Sequence, residues 1–111
     1  MKKPYTVFIT GASEGIGASI AKTLCRNGHN VFAFARREAK LQDLKTLCAD
    51  MSGNLAFFAG DVTSKDDLQK ASNLCVTGFG KLDILIPNAG VGYFNPLHQG
   101  SIEEWESMID V

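Results

Sequence analysis

The residues most able to do chemistry stand near the amino end: Thr10-Gly11-Ala12-Ser13-Glu14-Gly15-Ile16-Gly17 follows a short apolar run and opens at once into helical spacing. Glycines at 11, 15 and 17 permit a tight strand-to-helix turn and close backbone approach. Such a turn aims the first N–H groups of the helix, and the positive end of its dipole, at one point. That is the chemistry of holding a phosphate, not of breaking a bond. Three glycines would also serve a plain tight turn with close helix–strand packing; the strand before and the helix after favour nucleotide binding. A triphosphate-cleaving loop needs Lys followed by Ser or Thr at the helix start. Here Gly17 is followed by Ala18-Ser19, which excludes it. A methyltransferase loop is not excluded by these residues alone.

A second group of interest lies at the end of the next apolar run. In dinucleotide-binding folds an acidic residue about 20 positions beyond the glycines accepts hydrogen bonds from the adenosine ribose. That place falls on Ala35, and Arg36-Arg37 follow. With the carboxylate missing and two guanidinium forks present, the site suits an extra phosphate. NADP(H) is therefore the expected cofactor, with NAD(H) second. The competing reading makes the two arginines a solvated helix start paired with Glu38 or Asp43.

These groups need a scaffold, and the pattern supplies one. Strand-like apolar runs occur at Tyr5 to Thr10, Asn30 to Ala35, Leu55 to Ala59 and Leu82 to Ile86. Between them, helical spacing is carried by Ile16, Ile20 and Leu24, then by Leu41, Leu44 and Leu47, then by Leu68, Ala71 and Cys75. Strands apolar on both faces and separated by helices require a parallel sheet covered on two sides. The expected architecture is α/β: a doubly wound, Rossmann-like parallel sheet of about four strands in the order 3-2-1-4. Asn27-Gly28, Ser52-Gly53-Asn54 and Gly78-Phe79-Gly80 supply helix stops. Ser101-Ile102-Glu103-Glu104 has the form of a capping box, so a fifth element is expected to begin near Ser101 and to run to Val111 with no stop signal. Residues 1–111 read as one dinucleotide-binding domain, cut within that helix.

Composition narrows the partners. Of 111 residues, 45% are hydrophobic and 21% charged, and the net charge of -1 offers no concentrated positive surface for nucleic acid or anionic membrane. No stretch approaches the roughly 20 apolar residues that cross a bilayer, and the amino end lacks a signal-peptide profile, so a cytoplasmic protein is expected. Cys25, Cys48 and Cys75 are odd in number and sit in helix-like apolar patterns, as reduced core thiols do. His29 and His98 have no metal-ligand neighbours and read as loop or surface residues; no metal is expected. Trp105 reads as a packing residue.

Thr10 through Gly17, Gly60-Asp61-Val62-Thr63 after the third strand and Asn88-Ala89-Gly90 after the fourth together resemble the short-chain dehydrogenase/reductase family, over nearly the whole chain. Each motif falls at the carboxyl end of an expected strand, where ligands of open α/β sheets bind. The joint order disfavours the methyltransferase. By this resemblance Gly11, Ser13, Gly15, Ile16 and Gly17 line the pyrophosphate and ribose, and Asp61 and Val62 meet the adenine. Asn88, Ala89 and Gly90 support the sheet beside the cofactor, with Thr10 tied to the Asn88 segment. Arg36 and Arg37 join them as candidate cofactor residues. Two bland alternatives stand beside these: a loop into a helix capped by Thr63 or Ser64 for the Asp61 segment, and a simple turn for Asn88. One departure is plain: the family commonly has two asparagines before Ala-Gly, and Pro87 takes the first place here, removing a backbone N–H.

The family's catalytic set is an asparagine, a serine and a Tyr-x-x-x-Lys pair. Tyr5 and Tyr93 are the only tyrosines, and four residues on stand Ile9 and Leu97, so no catalytic residue is assigned. The resemblance implies hydride transfer between a nicotinamide and a small carbonyl or alcohol substrate in an intact family member, with this chain inactive alone. The rival is a non-catalytic NADP-binding or interaction module. Under either reading Ile84-Leu85-Ile86 would form an apolar sheet edge that invites self-association.

Overall fold

The computed structural model describes residues 4–88; Ala89, Gly90 and the expected helix from Ser101 lie outside them. The elements run β1 (Thr6–Thr10), α1 (Gly15–Arg26), β2 (Asn30–Ala35), α2 (Glu38–Cys48), β3 (Asn54–Ala59), α3 (Lys65–Phe79) and β4 (Ile84–Pro87). Every pairing is parallel and the sheet order is β3-β2-β1-β4, so β1 lies inside and the chain reverses direction across the sheet between β1 and β4. Because the crossovers are helical, each face of the sheet is covered.

The alternation along each strand sorts the core into two layers. Val7 and Ile9 of β1, Val31, Ala33 and Ala35 of β2 and Leu55 of β3 pack with Ala21, Cys25, Leu41, Leu44 and Cys48 of α1 and α2. The intervening positions, Phe8, Phe32, Phe34 and Leu85, pack against Leu68, Ala71 and Cys75 of α3. On that second face the rings form a ladder: Phe8 lies 5.3 Å from Phe32 and 6.0 Å from Phe34, and Phe34 lies 6.2 Å from Phe58. Burying a ring of this size contributes roughly 2–3 kcal/mol.

Three details differ from the sequence pattern. In α1 the buried stripe is Gly17, Ala21 and Cys25, not the Ile16 row; Ile16 is 70% exposed. Small residues let the helix approach the sheet closely, and the bulkier Ile20 and Leu24 flank the contact. Similarly, α2 buries Leu41, Leu44 and Cys48 while Leu47 faces outward. The fourth strand begins at Ile84 because Asp83 intervenes: its carboxylate accepts the Thr6 N–H at 2.8 Å, and its own N–H donates to the Thr6 carbonyl at 2.9 Å. Leu82 packs below the sheet, against the α3 layer.

His29 is half-buried and structural. Its Nδ1 accepts the Tyr5 N–H at 3.1 Å, and its ring stacks on Tyr5 with centroids 5.1 Å apart. The three cysteines are free, buried thiols; burial, with the neighbouring Cys48 adding, pushes Cys25 up to about 12, and burial does the same to Cys75. Thiols so placed are unreactive. Among the described residues no helix is long and apolar enough to cross a membrane, and no cluster of His, Cys, Asp or Glu could hold a metal.

Candidate functional site

The site begins with the turn after β1. Gly11 and Gly15 both adopt φ +64, where a side chain is strained, and Glu14 between them is extended. α1 therefore starts abruptly, with Glu14 as its N-cap and no side-chain cap. The opening N–H groups of a helix have no intrahelical acceptor, and an anion placed there would satisfy them and the dipole together. α3 is the contrast: the Ser64 hydroxyl accepts the Asp67 N–H, and Asp66 and Asp67 occupy the first turn.

Gly17 shows how closely this turn is packed. A methyl carbon there would overlap the Gly11 carbonyl oxygen and lie 2.7 Å from Asn88 Nδ2. The glycine is needed because loop, helix and the end of β4 converge on one spot. Asn88 is held there through its backbone N–H, which donates to Thr10 Oγ1 at 2.9 Å. Pro87 ends β4 opposite Thr10, and the missing N–H leaves this tie intact because the donor is the next residue.

A cleft of about 850 Å³ opens over the carboxyl edge of the sheet, and the end of every strand contributes to it: Gly11 and Ser13 after β1, Phe34 to Arg37 at and after β2, Gly60 and Val62 after β3, and Asn88 after β4. The size is within the range of small-molecule and cofactor sites. Of the residues expected from sequence, Gly11, Ser13, Arg36, Arg37, Val62 and Asn88 form its wall. Gly17 supports it from beneath, Gly15 lines the adjoining groove between α1 and α2, and Ile16 projects outward. Ala89 and Gly90 lie outside the described residues.

Asp61 is partly spent locally. Its Oδ1 accepts the Thr63 N–H at 2.9 Å and the Thr63 hydroxyl at 2.8 Å, and its own N–H donates to Asp67 Oδ2. Those Thr63 bonds, with Arg36 adding a smaller attraction, hold its carboxyl below the usual carboxylate range. Both arginines are exposed, and among the described residues neither forms a salt bridge with Glu38 or Asp43.

Three wall residues were not assigned to the cofactor site from sequence, although two of them stand within the quoted motifs: Glu14, Phe34 and Gly60. Glu14 stands inside the glycine turn, and its place between two glycines was the available signal. Gly60 is small because a methyl carbon there would sit 3.0 Å from the Phe34 ring.

A parallel sheet in this order, with a glycine turn feeding an uncapped helix and a cleft at the strand ends, defines a Rossmann-like nucleotide-binding fold. The chain belongs to the short-chain dehydrogenase family, whose sequence profile matches residues 5–111. It is 37% identical over 109 residues to an uncharacterised oxidoreductase of Listeria monocytogenes, covering 98% of this chain and 44% of that protein. It is 34% identical over 105 residues to the NADP-dependent 3-hydroxy acid dehydrogenase YdfG of Escherichia coli K12, covering 94% of this chain and 41% of that one. Among solved structures, an alcohol dehydrogenase from the archaeon Thermococcus sibiricus complexed with 5-hydroxy-NADP superimposes with TM-score 0.74 at 32% identity, over 96% of this chain and 46% of that one. L-Sorbose reductase from Gluconobacter frateurii, complexed with NADPH and L-sorbose, gives TM-score 0.74 at 26% identity, over 92% and 39%. The chain spans less than half the length of these relatives.

Proposed function

We propose that residues 1–111 form one dinucleotide-binding unit, the NADP(H)-holding part of an oxidoreductase that moves hydride between nicotinamide and a small carbonyl or alcohol substrate. One observation carries the choice of cofactor: Arg36 and Arg37 stand on the cleft wall directly after Ala35, with no salt bridge among the described residues. A carboxylate at the end of β2 would favour a free ribose; alanine followed by two guanidinium groups favours a phosphate on it. The NADP-linked names of relatives support the same reading.

The residues present fit the group. The overlap a side chain would meet at Gly17 leaves a bare backbone cradle, and the uncapped start of α1 offers N–H donors to a pyrophosphate. Gly11, Ser13, Gly15 and Gly17 would surround that part; Arg36 and Arg37 would take the ribose phosphate; Val62, with Asp61 behind it, would border the adenine; Asn88, continued by Ala89 and Gly90, would support the nicotinamide side. When bound, the nicotinamide supplies or accepts the hydride. The chain's own part is to bind and orient, and it is inactive on substrate by itself. NAD(H) binds more weakly at this site. The protein is cytoplasmic.

The test is a set of thermal melts with no nucleotide, with NADPH and with NADH. A ligand that binds only the folded state stabilises it by about 2.7 kcal/mol at one hundred times its Kd. A transition raised mainly by NADPH is expected; equal shifts would remove the NADP preference, and no shift with either would remove the nucleotide site.

A second reading rests on β4, which among the described residues is an edge strand of the sheet and carries the apolar Ile84, Leu85 and Ile86. An NADP-binding module associating through that edge, in self-assembly or with another protein, would behave identically in the melts. Sedimentation at rising concentration separates it: a monomer throughout counts against association.

A further inference from the structure

The cleft wall contains one group of the wrong sign for an anionic ligand. Glu14 lies in the glycine turn, lines the cleft beside Arg36 and Arg37, and is the N-cap of α1. An acid there would be expected to repel phosphate, or to turn inward and satisfy the helix N–H groups itself. It does neither as a free group. Its side chain makes no capping bond, and its Oε2 lies 3.4 Å from Lys40 Nζ of α2. Glu14 also borders the groove between α1 and α2, where Lys40, Lys22 and Asp43 stand.

We propose that Lys40 is a specificity-determining residue of the nucleotide site, acting through Glu14: it neutralises the carboxylate and holds it off the start of α1, so that the turn stays open to phosphate. The inference rests on the NADP(H) reading for the size of its effect on each cofactor, but not for its existence, because any nucleotide pyrophosphate meets the same turn. As a stability element the pair is minor, since its side chains are 41% and 61% exposed. Its consequence is in the field seen by the ligand. With Lys40 removed, Glu14 is an uncompensated negative charge at the cleft, and the cofactor carrying the additional phosphate suffers more.

Four proteins test this: wild type, Lys40→Met, Glu14→Gln and the double variant, each titrated with NADPH and with NADH at low salt and again at high salt. Lys40→Met is expected to weaken NADPH by about 10-fold and NADH by about 3-fold, both losses shrinking as salt rises. Glu14→Gln binds NADPH at least as tightly as wild type, and the double variant returns to within about 2-fold of Glu14→Gln, because the lysine has nothing left to neutralise. Melts of each variant without nucleotide establish that all are folded.

A Lys40→Met protein that binds both cofactors like wild type overturns the proposal. So does a double variant as weak as Lys40→Met, which would mean that the lysine meets the phosphate itself. Failure of the NADP(H) reading has a different mark: wild type without NADPH preference, while the NADH titrations still score Lys40 through the same cycle.

Discussion

The backbone N–H of Asn88 donates to the hydroxyl of Thr10 at 2.9 Å, joining the ends of β1 and β4 across 78 residues of sequence. Thr10 is 3% exposed, so this bond is shielded from water. Thr10→Val keeps the shape and removes the acceptor. We expect a loss of about 1–2 kcal/mol in urea unfolding, together with weaker NADPH binding as the Asn88 wall loosens. Unchanged unfolding and unchanged affinity would show that the bond holds nothing in place.

Gly17→Ala has a steric consequence. The new methyl would overlap the Gly11 carbonyl, which is backbone and cannot swing aside, and would crowd the amide end of the Asn88 side chain. Overpacking of this kind costs about 1–3 kcal/mol. The more telling measurement is nucleotide affinity, expected to fall by 10-fold or more as the turn is displaced. A variant that binds NADPH normally would refute the close convergence at this point.

For Arg36→Asp the expected outcome is a change of preference: NADPH binding weakens by about 10-fold or more, while NADH binding is kept or improves. A carboxylate repels the ribose phosphate and can accept bonds from a free ribose. Parallel titrations read this directly, and a preserved ratio of the two affinities would remove Arg36 from the cofactor site.

Acid should weaken the fold through Asp83. Burial alone would raise its carboxyl pKa, yet the Thr6 N–H and the Lys81 ammonium at 3.0 Å outweigh it and hold the group below its ordinary 3.8. The folded state therefore favours the charged form. Its stabilisation is fully present above the unfolded value and is lost as pH falls through the lower, folded one. Between pH 5 and 7 this group adds no slope. Asp83→Asn keeps an oxygen for Thr6 but forfeits Lys81, and is expected to cost about 1 kcal/mol at neutral pH and to make acid unfolding less steep. Identical acid limbs would exclude Asp83 as a source.

The strand and helix order was legible in the sequence because the period changes cleanly from strand to helix, and the sheet order 3-2-1-4 follows from parallel crossovers with the glycine turn at the reversal point. The stripe of α1 was misread. Its large residues drew attention, yet a helix pressed against a sheet at a glycine turn buries its small ones, Gly17 and Ala21. His29 is the loop residue the sequence suggests, between α1 and β2; its stacking on Tyr5 was not legible because the partner is 24 positions away and no local pattern reveals a stacked ring. Glu14 was hidden by sign: a search for phosphate-binding groups passes over an acid, and only the Lys40 contact shows how such a residue is tolerated at the cleft.

Because β1 lies inside a sheet ordered β3-β2-β1-β4, its outer neighbour is the last strand described, and Asn88 completes the wall over the glycine turn. Three strands and the turn itself leave the ribosome well before that wall exists. Chain growth at roughly 5–20 residues per second means that β4 and Asn88 follow Gly11 by several seconds. A nascent chain is therefore expected to assemble this cleft late and in one step, when β4 docks beside β1, so that cofactor capture during synthesis would report that docking and not the earlier pairing of β1 with β2.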